Sequence, residues 1–344
     1  MKCNNKIFIF LTILVSFLML SLLLLQNHSS TTEGMTVKNS VDYEVKRIQN
    51  DMSSGISSVS QTNHPIRQYC IKSSYNTALS GNYVSVDAIK YVLSRGCRFI
   101  DFEIFLIDDE AQVAYTDDPT FTTVTTKNYI SLNEALKHVA IHGFSSPSPN
   151  MRDPLFIQFR IKSKNPKIFN LVGMAVDNYL STKLHRGKVT GNTILSELMG
   201  KAVLIIDRSF SPTYNKDEHY PKCFANSESN HDCHNLSQYV NIESGTSFLR
   251  NYTYHDLLNQ LTTPPVITDY DSFETDVSLF RVVQPDKQYS SNPSSGDFIK
   301  NFGVQFITNR FYIKDSNLIL YEKFFSKYMT AFIPFAMMIS DIST

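Results

Sequence analysis

The sequence contains no tryptophan, only five cysteines in 344 residues, and no excess of either charge, because 32 basic residues balance 32 acidic ones. A formal net charge of zero excludes the broad basic field that attracts nucleic acids, so no nucleic-acid partner is expected. Five cysteines are too few for the dense disulfide framework of a small secreted domain. What is present is 42% hydrophobic and 19% charged residues, a composition typical of a globular protein with a sizeable core.

Two of the cysteines flank a polar loop. Cys223 and Cys233 are therefore predicted to form a disulfide if the chain folds in an oxidising compartment. His231 and His234 stand beside Cys233 and leave a zinc site as the alternative. Their spacing matches no standard set of zinc ligands.

A long apolar run lies near the N-terminus. Ile7–Leu25 comprises 19 residues without a charge, and at about 1.5 Å per residue it just spans a hydrocarbon core roughly 30 Å thick. A cleaved signal peptide would have a shorter apolar run and small residues at its cleavage site, which Gln26–His28 do not provide. We therefore predict an uncleaved single-pass anchor over residues 1–26. Lys2 and Lys6 keep its short end in the cytosol and place the body on the extracytoplasmic side.

Residues 27–68 are rich in Ser, Thr and Asn, which predicts a stalk between the anchor and a folded body. Apolar residues recur within it at steps of four and three, at Val37, Val41, Val45, Ile48 and Met52. This spacing predicts a short amphipathic helix. A brief coiled coil of such helices is the predicted route of self-association.

Three sequons match the pattern that accepts N-linked glycans, at Asn27, Asn235 and Asn251. On the extracytoplasmic side of a membrane they predict a glycoprotein. The alternative is chance, because a chain rich in Asn and Ser contains a few sequons anyway.

From residue 69 onward, short apolar runs alternate with helix-like segments. The runs typical of strands are Arg98–Ile107, Pro154–Ile161, Lys201–Asp207, Tyr239–Glu243 and Gly303–Thr308. The helical segments are Val84–Ser94, Ser131–His142, Pro166–Leu184, Tyr254–Leu261 and Leu318–Lys327. The alternation predicts an α/β fold with a parallel sheet, and the length suits a TIM-like (β/α)8 barrel over residues 69–344.

The barrel is predicted to consist of two halves, residues 69–208 and 239–340. Residues 209–238 between them are polar and lack periodicity, which predicts a surface insertion. The apolar tail Met329–Ile339 is too short to cross a membrane and contains Pro334, so a last strand and helix of the barrel are predicted there.

Four sequence motifs follow one another in an order that can be compared with known families. They are IKSSYNTALSG at 71–81, LSRGCRFIDFEIF at 93–105, AQVAYTDD at 111–118 and DPLFIQFRIKS at 153–163. This order resembles the X half of the phosphatidylinositol-specific phospholipase C family, with its Ser-Ser-His-Asn loop, its Arg-Gly-Cys-Arg strand and its Tyr-His-Gly motif. The segment 289–325 is similar to the family's Y half. The amino-acid sequence as a whole resembles divergent members found in large DNA viruses.

The resemblance implies a phosphoric diester hydrolase of lipid metabolism, in which the inositol 2-hydroxyl attacks phosphorus. Such a reaction needs a base, an acid and positive charge beside the phosphorane. In eukaryotic members the resemblance implies two histidines for the proton transfers. Tyr75 and Thr116 stand at those two positions. A phenol with a pKa of about 10 is a poor acid or base at neutral pH, and a threonine does not titrate there.

The resemblance also implies a calcium ion held by an asparagine and three carboxylates. Asn76 matches the asparagine, and Asp101 and Glu103 match two of the acids in exchanged order. Arg160 takes the place of the last carboxylate, and a guanidinium repels calcium. No cofactor is therefore expected, and Arg160 is predicted to pair with Asp101 or Glu103. Two further residues, Ser290 and Ser291, match positions that contact the head group in the family.

Three interpretations of these residues stay open: strand ends kept for structure, a residual pocket for an inositol lipid or a phosphorylated head group, and catalysis. We expect a degenerate member that acts as a binding or surface-display module on a virion or host membrane. One alternative is an active, calcium-independent phosphodiesterase that uses Arg160. The other is a structural membrane glycoprotein whose barrel is only a scaffold.

Overall fold

The computed structural model describes residues 15–16, 19, 37–49, 54–220, 223, 233–259, 280–286 and 291–342. The chain divides into two compact units, Met1–Arg47 and Ile48–Thr344. Helix α1 covers residues 37–48, where the spacing of apolar residues predicts it. Within the described residues no helix is long and apolar enough to cross a bilayer, and most of the predicted anchor lies outside them.

Among the described residues of the second unit, eleven strands belong to one sheet. They are β1 (Tyr69–Ser74), β2 (Phe99–Ile107), β3 (Glu110–Ala114), β4 (Ile130–Ser131), β5 (Leu155–Ile161), β6 (Ala202–Asp207), β7 (Ile242–Ser244), β8 (Arg250–Thr253), β9 (Arg281–Gln284), β10 (Phe306–Asn309) and β11 (Phe332–Pro334). Eight of them run in the order β7-β6-β5-β2-β1-β10-β9-β8, and all neighbours in this order are parallel. A bridge between Ser244 and Leu249 connects the two ends. The predicted barrel is confirmed in this nearly closed form.

Helices of the second unit follow these strands, and three of those that the structure describes begin at polar caps. The described helices are α2 (Val86–Ser94), α3 (Leu132–Gly143), α4 (Lys167–Leu180), α5 (Tyr254–Asn259), α6 (Ser295–Phe302), α7 (Ser316–Tyr328) and α8 (Phe335–Ile342). The side chains of Ser85, Ser131 and Asp315 each accept a hydrogen bond from a backbone N–H in the first turn of α2, α3 and α7. Such caps satisfy N–H groups that have no partner inside the helix.

Strand alternation decides which side chains reach the barrel axis. Ile100, Phe102 and Ile104 of β2 are fully buried in the hydrophobic core. Asp101 and Glu103 alternate with them and therefore point to the other face of the sheet, toward the axis. Both faces are buried because helices cover the outside of the wall.

A hairpin that sequence patterns did not predict extends from β2. Asp108 and Asp109 both have positive φ angles, 52° and 64°, and Ile107 pairs with Glu110 across the turn. Two left-handed residues between antiparallel strands match the turn that suits the strand twist, and aspartate tolerates that conformation better than most residues. Strand β3 therefore folds back on β2, and β4 joins its outer edge.

Two predictions, for the C-terminal tail and for residues 209–238, need correction. The tail does form a strand and a helix, but β11 lies antiparallel to β1, with Tyr69 opposite Pro334, and is not one of the eight parallel wall strands. The segment predicted as a surface insertion also contributes to the core, because Tyr214 and Tyr220 are only 1% and 2% exposed. Their aromatic rings supply apolar area that the polar composition of the segment conceals.

A buried ion cluster ties two helices to β1. Lys72 has no exposed surface, and its Nζ donates to the carbonyl of Arg95 at 2.6 Å and lies 3.5 Å from Glu322 Oε1. The Nε of Arg95 donates to the same Glu322 oxygen at 2.6 Å. Burial lowers the pKa of Lys72, and the Glu322 carboxylate opposes that shift. Glu322 on α7 is thus the counter-charge for two cations.

We expect Glu322→Ala to lower the free energy of unfolding by about 3–5 kcal/mol, because it leaves Lys72 charged and buried without a carboxylate. Chemical denaturation would measure the change. Glu134→Ala, at an exposed site on α3, is the matched control and should change stability by less than about 0.5 kcal/mol. A loss below about 1 kcal/mol for Glu322→Ala would mean that the cluster does not carry this role.

Candidate functional site

The loop after β1 carries the first two predicted site residues and is fixed to β2. Asn76 has a positive φ of 42°, and its backbone N–H donates to Asp101 Oδ2 at 3.0 Å. The next N–H, of Thr77, donates to the carbonyl of Asp101 at 2.8 Å. These bonds hold Tyr75 and Asn76 over the carboxyl end of the barrel, which is where barrel proteins place functional groups.

The register between β2 and β5 sets the charged pairs. Glu103 lies directly opposite Arg160, and Asp101 lies opposite Gln158. Because paired residues on neighbouring strands project to the same face, all four side chains point toward the axis. A shift of one residue would move them into the helical layer.

Arg160 is the centre of this site, and each of its five N–H groups has an acceptor. Nε donates to Asp101 Oδ1 at 2.9 Å. One terminal nitrogen donates to Glu103 Oε1 at 2.8 Å and to the Tyr75 hydroxyl at 3.2 Å. The other donates to Asn76 Oδ1 at 2.8 Å and to Asp101 Oδ2 at 2.5 Å. The predicted pairing is confirmed, and it involves both acids.

The electrostatics follow from this burial. Arg160 is 2% exposed, and burial opposes its charge, but Asp101, Tyr75 and Glu103 hold its pKa well above the ordinary value. The guanidinium carbon also lies 4.5 Å from the centroid of the Tyr75 ring. Burial raises the pKa of Tyr75 to about 12, with Arg160 opposing the shift. The phenol is therefore neutral at physiological pH.

Sequence reasoning missed Lys162, which completes the charge balance. Its Nζ lies 2.9 Å from Glu103 Oε1 and 5.0 and 5.2 Å from the ring centroids of Phe121 and Phe210. Burial lowers its pKa, and Glu103 opposes that shift. Lys162 follows Arg160 by two residues, so strand alternation alone could have placed it on the same face.

Thr116, at the second histidine position, has a structural role. Its backbone N–H donates to Glu103 Oε2 at 3.1 Å, and its hydroxyl donates to the carbonyl of Thr123 at 2.5 Å. It therefore joins β2 to the loop that contains Phe121. No histidine lines the mouth pocket among the described residues.

A calcium ion does not fit this arrangement. All four carboxylate oxygens accept hydrogen bonds or ion-pair contacts from protein donors: both oxygens of Asp101 from Arg160, Glu103 Oε1 from Arg160 and Lys162, and Glu103 Oε2 from Thr116. The cationic groups of Arg160 and Lys162 already bind the carboxylate oxygens that a divalent ion would need as ligands. In the part of the chain that the structure describes, no group of three acids, histidines or cysteines could hold a metal.

The mouth pocket above this cluster has a volume of about 270 Å³. Tyr75, Arg160 and Lys162 line it, and so does Arg310, which sequence reasoning also missed. Arg310 donates to the backbone carbonyls of Ser291 and Asp286 at 3.0 and 2.9 Å. Ser291 itself is exposed and does not line the pocket, whereas the predicted contact Ser290 lies outside the described residues.

The remaining site predictions have mixed outcomes. The disulfide between Cys223 and Cys233 is present, so the sulfur of Cys233 is not free to bind zinc. The glycosylation predictions fit the fold poorly. Asn235 is 7% exposed, and the side-chain nitrogen of Asn251 donates to Asp207 Oδ2 at 2.8 Å, although a glycan would need that atom. Asn27 lies outside the described residues.

Comparison with known proteins is consistent with this geometry. Residues 62–206 match the family model described as phosphatidylinositol-specific phospholipase C, X domain. No curated protein sequence matches the chain. The crystal structure of PLC21 from L. pealei superimposes with a TM-score of 0.59 and 14% sequence identity over 80% of this chain, and that of PLC21 from S. officinalis with 0.58 and 14% over 80%.

This chain spans only 38% and 37% of those two proteins, and identities this low establish the fold rather than the activity. The match to the family model is independent of that likeness and includes Tyr75, Asp101, Glu103, Thr116 and Arg160. Residues 62–206 thus match the X-domain model of the phosphatidylinositol-specific phospholipase C family, and the barrel that contains them has the fold of those two structures.

Proposed function

We propose that this protein is a membrane-anchored, catalytically degenerate phospholipase C-like barrel that acts as a binding module at a membrane surface. The observation that carries the proposal is the saturated guanidinium of Arg160, whose five N–H groups all bind groups of its own barrel. A phosphate that entered the mouth of the barrel would have to compete with these hydrogen bonds for the guanidinium of Arg160.

Proton transfer also lacks suitable groups. Tyr75 has a pKa of about 12, and Thr116 is bound to the carbonyl of Thr123. General acid and base catalysis is most effective when the pKa of the group lies near the working pH. Neither residue meets this condition.

The enzymatic alternative uses Arg160 in place of calcium. It requires guanidinium N–H groups directed at the position of the developing charge, since such stabilisation depends on donors already aimed there. The donors of Arg160 are aimed at Asp101, Glu103, Asn76 and Tyr75 instead. The geometry therefore favours the degenerate protein over a calcium-independent enzyme.

The mouth pocket suits a small phosphorylated head group, such as that of an inositol lipid. Lys162 uses one contact on Glu103, and an ammonium group has three donors, so it can bind an anion that enters the pocket. Phe121 and Phe210 flank it and provide apolar faces for a ring. The proposed ligand needs no metal and no reaction.

Membrane attachment belongs to this proposal and rests on the uncharged run at Ile7–Leu25. An anchor there would present the barrel on a virion or host membrane, with the stalk as spacer and as the site of self-association. A structural glycoprotein remains the alternative function, and it would leave the mouth pocket without a ligand.

We expect the purified chain to show no calcium-dependent cleavage of phosphatidylinositol. Loss of general acid and base assistance costs about 10²–10⁴-fold for each group, and loss of the metal costs several kcal/mol more. The measurement is release of inositol phosphate from vesicles at millimolar calcium, with Tyr75→Ala as the background control. Turnover well above that control, increasing with calcium, would refute the degenerate site.

We expect Arg160→Glu to destabilise the fold by about 3–5 kcal/mol, because three acids would then share a buried site. Millimolar calcium should partly restore the melting temperature of this variant and should leave the wild type unchanged. Arg152→Glu, at an exposed position, is the control for the charge change itself. Stabilisation of the wild type by calcium, without an effect on Arg160→Glu, would show that Arg160 does not fill the metal position.

Binding in the mouth is tested directly with inositol 1-phosphate by calorimetry. Lys162→Met should weaken its binding at least tenfold, since it removes the cation proposed to meet the phosphate. Lys164→Met is the matched control, because Lys164 is exposed and does not line the mouth pocket. Equal binding by both variants would exclude Lys162 as the contact, and absence of binding by the wild type would favour the structural glycoprotein.

A further inference from the structure

A second cavity lies outside the barrel wall, between α6, α7 and α8. Its volume is about 380 Å³, within the range of small-molecule sites, and it shares no lining residue with the mouth pocket. The described residues that line it are Pro293, Ser294, Ser295, Gly296, Ile299, Lys300, Asn317, Leu320, Tyr321, Phe324, Lys327, Tyr328 and Met338. The proposed function does not use this cavity.

The wall of the cavity is apolar along its length. Ile299, Tyr321 and Met338 are buried in the hydrophobic core beneath it, and Phe324 packs against that core. Leu320 also lines the cavity and has 62% of its area exposed at the surface. From Asn317 to Tyr328 the groove follows α7 for about 16 Å, at a rise of about 1.5 Å per residue. Its shape suits an extended acyl chain.

The polar groups of the cavity are all neutral or positive. Lys300 and Lys327 line it near the C-terminal ends of α6 and α7, and none of the described lining residues is an aspartate or glutamate. At the other end, the Oγ of Ser295 is buried and has no hydrogen-bond partner. Buried hydroxyl groups without a partner are uncommon because they lose their hydrogen bonds to water. The two lysines, with no acidic residue among the described lining, favour an anionic ligand.

We propose that this cavity binds one monomeric fatty-acid-like ligand, a carboxylate with a single acyl chain. The chain lies along Leu320 and Phe324, and the carboxylate meets Lys300 and Lys327. Apolar contact supplies most of the binding free energy, and the lysines distinguish a carboxylate from a neutral alcohol of the same length. Binding here is independent of the residues at the barrel mouth.

The test is a titration of the full chain with cis-parinaric acid, followed by its fluorescence, with circular dichroism to verify that each variant is folded. We expect one saturable site per chain, and displacement by dodecanoate at least tenfold more effective than displacement by dodecanol. Leu320→Glu should weaken binding at least tenfold, because it places a negative charge on the apolar wall. Ile319→Glu is the matched control, since Ile319 is also on α7 and 40% exposed but does not line the cavity.

A second pair of variants tests the charge. Lys327→Glu should weaken parinarate binding several-fold, whereas Lys323→Glu, on an exposed face of the same helix, should not. Inositol 1-phosphate should not displace parinarate, so failure of the mouth proposal and of this one are distinguishable. Equal loss in Leu320→Glu and Ile319→Glu would overturn the proposal. So would binding only to vesicles of anionic lipid, or equal displacement by the acid and the alcohol.

Discussion

The arrangement of the barrel mouth depends on one buried guanidinium. Arg160 is hydrogen bonded to Asp101 and Glu103 of β2 and to Asn76 in the loop after β1, so a single side chain of β5 connects three parts of the wall. Burying two carboxylates without a counter-charge would cost far more free energy than a typical interaction within a domain contributes to stability. Arg160 and Lys162 together balance them, so the formal charges of these four side chains sum to zero.

The same interaction limits what the mouth can do. A metal ion contributes positive charge and can exchange some of its ligands for groups of a substrate. A guanidinium whose five N–H groups already have acceptors has no donor left for a substrate. The Tyr75 ring packs against this guanidinium, and its hydroxyl is one of the five acceptors. Residues at positions that serve catalysis in the family thus act here as structural partners of an arginine. The stability of the site and the proposed loss of catalysis would therefore have one cause.

The chain uses charge in two different settings, one buried and one at the surface. Around Glu322, as around Arg160, each buried charge has a partner, which is what a folded core requires. The outer cavity along α7 differs, because Lys300 and Lys327 line an apolar groove that contains no acidic lining residue in the described part of the chain. Paired buried charges hold elements together, while surface lysines beside apolar area are typical of a place for an anionic ligand with an apolar part.

The sequence by itself determined the parallel α/β barrel and five wall strands to within a few residues, and it has Tyr75 and Thr116 where the resemblance implies histidines. These follow from local signals, since periodicity and motif order need no knowledge of distant contacts. Only the tertiary structure decided that Arg160 binds both acids at once, that Lys162 joins them, and that β11 turns back along β1. Such facts depend on strand register and on helix packing, which bring together residues far apart in the chain and leave no trace in any short segment of it.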